Sequence, residues 1–224
     1  MGAVAADLPA LLAELYAAEA GAVHDRPEAD FARPTRTEWT VRELLFHQLL
    51  DAQRTLVALA SPAGPGEAPD VDPLTYWRPF FPDSDWNAPH AEFVRVAASA
   101  YSSGAVLLDH FTTTTEASAR AVAAADPASL VRTQGHVITV ADLASTLVVE
   151  ATTHLLDLTV GLEGAPAPPP AALAEARRVL EGLNGGPLPP AWDDTEAVLK
   201  GTGRDPVTDE ERGALGKEWR PLIG

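Results

Sequence analysis

Leu143–Leu158 reads LASTLVVEATTHLLDL, and this stretch decides the fold. On a helical wheel Val140, Leu147, Ala151 and Leu158 form one apolar stripe, the repeat of a helix with one buried face. His154 falls inside that stripe and Glu150 at its edge, near Leu143. Thr139 and Asp142 open the helix as a pair resembling a capping box, with Asp in the place of Glu. The helix is expected to run to about Leu162, and Pro166, Pro168, Pro169 and Pro170 end it. A carboxylate at the margin of an apolar face needs a cation or strong hydrogen bonds. The same stretch therefore raises a question of function.

Upstream, Thr40 and Glu43 form a full capping box for a helix to about Ala60, with Val41, Leu45, Leu49, Ala52 and Leu56 as its stripe. The openings TVREL (Thr40–Leu44) and TVADL (Thr139–Leu143) echo each other, and eleven residues beyond each Thr lies a carboxylate, Asp51 and Glu150. Leu8, Leu11, Leu12, Leu15 and Tyr16 mark a first helix from about Leu8 to His24. Asn87 and Pro89 open a long third helix, expected to reach about Ala125 with Thr112–Thr115 as a weak stretch. Gly135 lies in the short link that follows. A shorter helix over about Ala171–Leu183 and a last piece near Asp209–Leu215 complete the tail. Residues 61–88, proline-rich and carrying Tyr76, Trp77, Phe80, Phe81 and Trp86, connect the second and third helices as a crossover or lid. These aromatics are expected to pack near the mouth formed by the second and fourth helices. The pattern predicts an all-α protein, an antiparallel four-helix bundle with a long crossover loop and a short C-terminal helical tail. Residues 1–164 would form the bundle, and residues 165–224 a helix and tail packed on it.

Composition narrows the function. The chain has 224 residues, 32 acidic against 16 basic, for a formal charge of -16. Such a chain repels phosphate backbones and anionic membrane surfaces, so neither nucleic acid nor membrane is an expected partner. It has no Cys, which rules out disulfides and a protein thiol nucleophile; thiol chemistry would need a thiol from outside. Met1–Ala6 lacks a basic n-region and no long uncharged apolar run occurs, so the expectation is a cytoplasmic protein, monomer or homodimer, acting on a small molecule.

The residues that could carry chemistry are His47, Glu150 and His154. Glu150 and His154 stand four apart, one turn along one helix face. Two His and one carboxylate suit zinc or another divalent metal, and three protein ligands leave a position open, as catalytic sites do. The spacing alone does not decide this. Glu43 precedes His47 in the same way, and a hydrogen-bonded core Glu–His pair, with His47 on a solvated face beside Asp51 and Arg54, fits the pattern too. Asp157, three residues past His154, either orients that imidazole or is a plain surface Asp. Trp39 reads as a hydrophobic staple. His24, His90, His110 and His136 have no partner at telling spacing and read as surface or packing residues.

Three segments resemble one family. EWTVRELLFHQLLDAQR (Glu38–Arg54) resembles the second-helix motif of the DinB-like, mycothiol-dependent maleylpyruvate isomerases, with a His seven residues past the cap. VVEATTHLLDL (Val148–Leu158) resembles their E-x-x-x-H-x-x-D motif, and LKGTGRDPVTDEERGALG (Leu199–Gly216) resembles the end segment of actinobacterial members. The resemblance implies that His47, Glu150 and His154 hold a metal, usually zinc, with mycothiol as cosubstrate. A bound metal would lower the thiol's pKa for addition to a cis double bond or for S-transfer. The isomerases carry a sizeable second domain with an Arg for the substrate carboxylate; here only a short tail follows, with Arg204 as the candidate contact. Maleylpyruvate itself is therefore not the expected substrate. A thiol-independent metal hydrolase and a non-catalytic bundle that keeps the site are the alternative readings.

Overall fold

The computed structural model describes residues 7–80, 87–216 and 219–223. Helices dominate: α1 Leu8–Val23, α2 Val41–Leu59, α3 Asn87–Ala98, α4 Gly104–Ala124, α5 Val140–Thr159, α6 Pro170–Asn184, α7 Asp194–Gly201 and α8 Asp209–Leu215. The Thr40 capping box is present in both directions, with Glu43 Oε2 accepting from Thr40 N at 2.7 Å. Thr139 accepts from Asp142 N at 3.0 Å at the start of α5. Such caps are each worth about 1 kcal/mol and fix where the helices begin. The apolar stripes then bury Leu12, Leu15, Leu44, Leu45, Leu49, Leu107, Phe111, Leu155 and Leu158 in one core.

The bundle proper is α1, α2, α4 and α5. Both α1 and α2 pack against both α4 and α5. The end of α2 lies beside the approach to α5, where Arg132 N donates to Ser61 O at 2.9 Å. At the opposite end Arg36 N, ahead of α2, donates to Asp157 O at 3.3 Å, late in α5. So α2 and α5 are antiparallel. Gly104 opens α4 against Phe31, just past α1, so α1 and α4 are antiparallel as well. The remaining neighbours are parallel. Arg26, beyond α1, reaches Glu163 O beyond α5 at 2.7 Å, and Arg42 at the start of α2 reaches Tyr101 O ahead of α4 at 2.9 Å. The expected antiparallel packing thus holds for two of these seams. Parallel α2 and α4 require the chain to travel back about 28 Å, the length of a helix of this size, and that is what the crossover is for.

Three expectations need correction. The long third helix is two helices. Ser99–Ser103 breaks it, Ser103 caps α4 by accepting from Val106 N at 3.3 Å, and a Cβ at Gly104 would run into the Phe31 ring. The Thr112–Thr115 stretch stays helical, because Thr115 Oγ1 bonds Phe111 O at 2.8 Å within its own helix. The link around Gly135 is a β-hairpin, β1 Leu130–Thr133 with β2 His136–Thr139, turned at Gln134 (φ 49°) and Gly135 (φ 84°). Two positive φ values in a two-residue turn match the right-handed twist of a hairpin. Finally, α7 was not expected. It is short, and Asp193 caps it by accepting from Glu196 N at 2.8 Å.

The tail is packed, not splayed. α6 lies on α5 and α7 on α6, and Ala172, Ala176, Val179, Leu180, Ala197 and Val198 join the same core as the bundle. α8 falls where the sequence placed it.

Candidate metal centre

α2 and α5 bring His47, Glu150 and His154 together. One ligand atom from each lies within 4.8 Å of the others. Glu150 Oε1 is 3.2 Å from His47 Nε2 and 3.4 Å from His154 Nε2. Donors bound tetrahedrally at 2.0–2.2 Å stand about 3.4 Å apart, which the two separations to Glu150 match, so the cluster could hold one divalent ion. The two imidazoles meet edge to face, ring centroids 4.9 Å apart. His47 and His154 are 7% and 6% exposed, so the solvated-face reading of His47 is wrong. The polar sector of α2 turns inward because α5 offers it a polar surface.

Each imidazole is held from behind. His154 Nδ1 is 3.0 Å from Asp157 Oδ2, and Asp157 is fully buried. That partner places a proton on Nδ1 and turns Nε2 toward Glu150, the usual way an outer carboxylate orients a metal-binding His. Asp157 is thus not a surface residue. His47 Nδ1 is 3.1 Å from His90 Nε2, at the start of α3. Sequence reasoning missed this residue, since only the turn of α3 onto α2 creates the contact. Trp39 was read as a staple, yet its ring lies 4.7 Å from that of His47, which makes it a wall of the site.

Without a bound cation the charges settle around protons. Burial opposes a charge on His154, but hydrogen bonds to Asp157 and Glu150 outweigh it and hold its pKa up to about 9. Burial also works against the Glu150 anion, yet bonds from His154 and His47 keep its carboxyl well below the usual range. Burial, reinforced by the neighbouring His47, pushes His90 down to about 4. Asp51 is held up by burial, only partly offset by His47 and Arg54. Its Oδ1 takes Arg54 at 2.6 Å, while Oδ2, buried without a hydrogen-bond partner, lies 3.5 Å from His47 Nε2. Asp51 and Glu150, which stand at matching distances from Thr40 and Thr139, both line one cavity.

That cavity has a volume of about 510 Å³. Its polar end is the His–Glu–His cluster, and Trp39, Tyr76, Trp77, Phe80 and Ile223 supply apolar walls. The described part of the crossover, up to Phe80, therefore packs at the mouth between α2 and α5, as expected. Asp72 Oδ1 accepts from Thr75 N at 2.7 Å ahead of the 3-10 turn Thr75–Trp77, and Gln134 of the hairpin donates to Tyr76 Oη at 2.7 Å. Phe81 and Trp86 lie outside the described residues. Arg204 also borders the cavity, but its guanidinium is committed to Asp157, with Nε 3.0 Å and 3.1 Å from the two carboxylate oxygens. His24 and His136 sit beside Asp25 and Asp70, and His110 bonds Tyr101 Oη at 2.6 Å, all away from the cluster.

Fold and cluster together define a class: an all-α bundle whose second and last bundle helices present a His–Glu–His set able to take a divalent ion. Residues 7–159 match the family model described as the mycothiol maleylpyruvate isomerase N-terminal domain, which covers well over half of the chain. The protein belongs to that family. No curated protein and no solved structure is a match for it.

Proposed function

We propose that this protein is a metal-dependent enzyme that uses a small thiol such as mycothiol for S-transfer to, or cis–trans isomerisation of, a small-molecule electrophile. The observation that carries this reading is the convergence of His47, Glu150 and His154 within 4.8 Å at the end of a partly apolar cavity. His47 and His154 would hold the ion through Nε2 and Glu150 through Oε1, with zinc, the ion the family resemblance implies, or another divalent metal in the site. A bound divalent ion would lower the pKa of an incoming thiol and so supply a nucleophile that a chain without Cys cannot.

The chain's own groups do the rest. Asp157 and His90 fix the ring orientations. Asp51 Oδ2, buried and unpartnered, is an acceptor beside the cluster for the proton of the entering thiol. Trp39, Tyr76, Trp77 and Phe80 exclude water and face the body of the substrate. No helix of the described residues is long and apolar enough to cross a membrane.

Elemental analysis of the purified protein, then incubation with mycothiol and a panel of electrophiles under mass spectrometry, tests the proposal. About one equivalent of zinc or a similar ion and thiol-dependent turnover are expected. Turnover that needs the metal but not the thiol would instead favour a hydrolase. Absence of any ion, after reconstitution, would remove the reading. Asp51→Asn should slow turnover while metal stoichiometry stays at wild type.

A further inference from the structure

We propose that Arg204, from the tail beyond the family match, is a positioning residue of the metal centre and not a substrate contact. The inference rests on the metal reading above. Arg204 grips Asp157 through both carboxylate oxygens, with Nη2 adding a contact at 3.0 Å to Oδ2, the oxygen that faces His154 Nδ1. The result is an unbroken line from guanidinium to carboxylate to imidazole to the site of the ion. A planar fork that takes both oxygens fixes the plane of a carboxylate, which a single donor does not. That plane in turn sets which way Asp157 points its acceptor at the ring.

The tail is built to hold Arg204 at this spot. α7 ends with Arg204 N donating to Leu199 O at 2.7 Å. Gly203 adopts φ +75°, and a Cβ there would press on Pro221, so the chain turns sharply just before the arginine. Thr202 O accepts from Arg204 Nη1 at 3.1 Å. The next residue, Asp205, pairs with Arg36 ahead of α2 at 2.8 Å, and Arg36 N donates to Asp157 O at 3.3 Å. Two arginines and two aspartates thus join the tail, the entry to α2 and the end of α5. Arg204 is only 11% exposed in its side chain, with Nε and Nη2 turned to the fully buried Asp157 and Nη1 to Thr202 O. Such a buried partner is costly to strip of its cation.

The test uses the full-length protein loaded with Co²⁺, whose visible absorption reports ligand geometry, together with zinc affinity by chelator competition. The variants are Arg204→Met, Asp157→Asn and the double variant, each checked for helicity by circular dichroism. Removing an outer partner of a ligating His costs about 10–100-fold in metal affinity. Arg204→Met should lose about tenfold or more and shift the Co²⁺ bands, and Arg204→Lys should recover part of the loss. The double variant should bind no worse than Asp157→Asn alone, because Arg204 acts only through Asp157. Wild-type affinity and spectrum in Arg204→Met would overturn the proposal, and so would losses that simply multiply in the double variant. Should Arg204→Met not fold, Arg204→Gln, which keeps a donor but not the charge, carries the same comparison. If the wild-type chain binds neither Co²⁺ nor Zn²⁺, the metal reading itself fails. If it binds and the variants match it, only the role of Arg204 fails.

Discussion

The two antiparallel seams of the bundle are built for different ends. Between α1 and α4, Tyr16 meets Phe111 edge to face at 6.3 Å, and Leu12, Leu15, Leu107 and Val122 are buried around them. Thr115 there bonds its own helix. Between α2 and α5, corresponding positions are taken by His47, Asp51, Glu150, His154 and Asp157, each bonded or ion-paired to another side chain. One seam supplies hydrophobic stability. The other holds groups whose desolvation is tolerated only because they pair with one another. Stability from apolar burial and a cluster of groups able to do chemistry are thus concentrated at different interfaces of one bundle.

The largest effect should come from the apolar seam. Phe111→Ala should cost about 3–5 kcal/mol in denaturant unfolding, as removal of a buried aromatic does, while metal stoichiometry per folded molecule is unchanged. Loss of metal binding along with the stability would show that the seams are not separable.

Next is a pH effect confined to the polar seam. In the metal-free protein His154 is held up to about 9, against about 6.5 in an unfolded chain. Its contribution to stability is complete below pH 6.5 and is lost as pH rises through about 9, on the order of 3 kcal/mol. Thermal unfolding of metal-free protein should therefore fall over that window, and His154→Ala should flatten it. Metal binding must displace this proton, so zinc affinity should climb over the same range. A pH-independent affinity between 6.5 and 9 would mean that His154 does not bind through the nitrogen that carries it.

Smaller in stability but decisive for chemistry, His47→Ala or His154→Ala should reduce metal affinity by more than the 10–100-fold typical of losing an outer partner. Circular dichroism should show the helices intact, since the apolar faces maintain them. Glu150→Gln should weaken binding less, because one oxygen remains. The smallest change is expected from His90→Phe, which removes the partner of His47 Nδ1 and should cost about tenfold in affinity. An unchanged affinity there would show that packing against Trp39 alone orients His47.

Most of the helices and their apolar faces are written in local sequence. Capping boxes, proline stops and the 3.6-residue repeat act within a few residues, so α1, α2, α5, α6 and α8 are legible locally. The family motifs also singled out His47, Glu150 and His154. The break at Ser99–Ser103 and the hairpin were less visible, because a Ser-rich kink and a Gln–Gly turn carry weak local signals. Which polar residues face each other follows from the packing of helices and segments distant in sequence. His47 looks solvated on its own helix and is buried by α5; His90, Trp39 and Arg204 arrive from three segments far apart in sequence. Hydrogen bonds and ion pairs act over about 3 Å whatever the chain separation, and no periodicity along one helix encodes a partner on another.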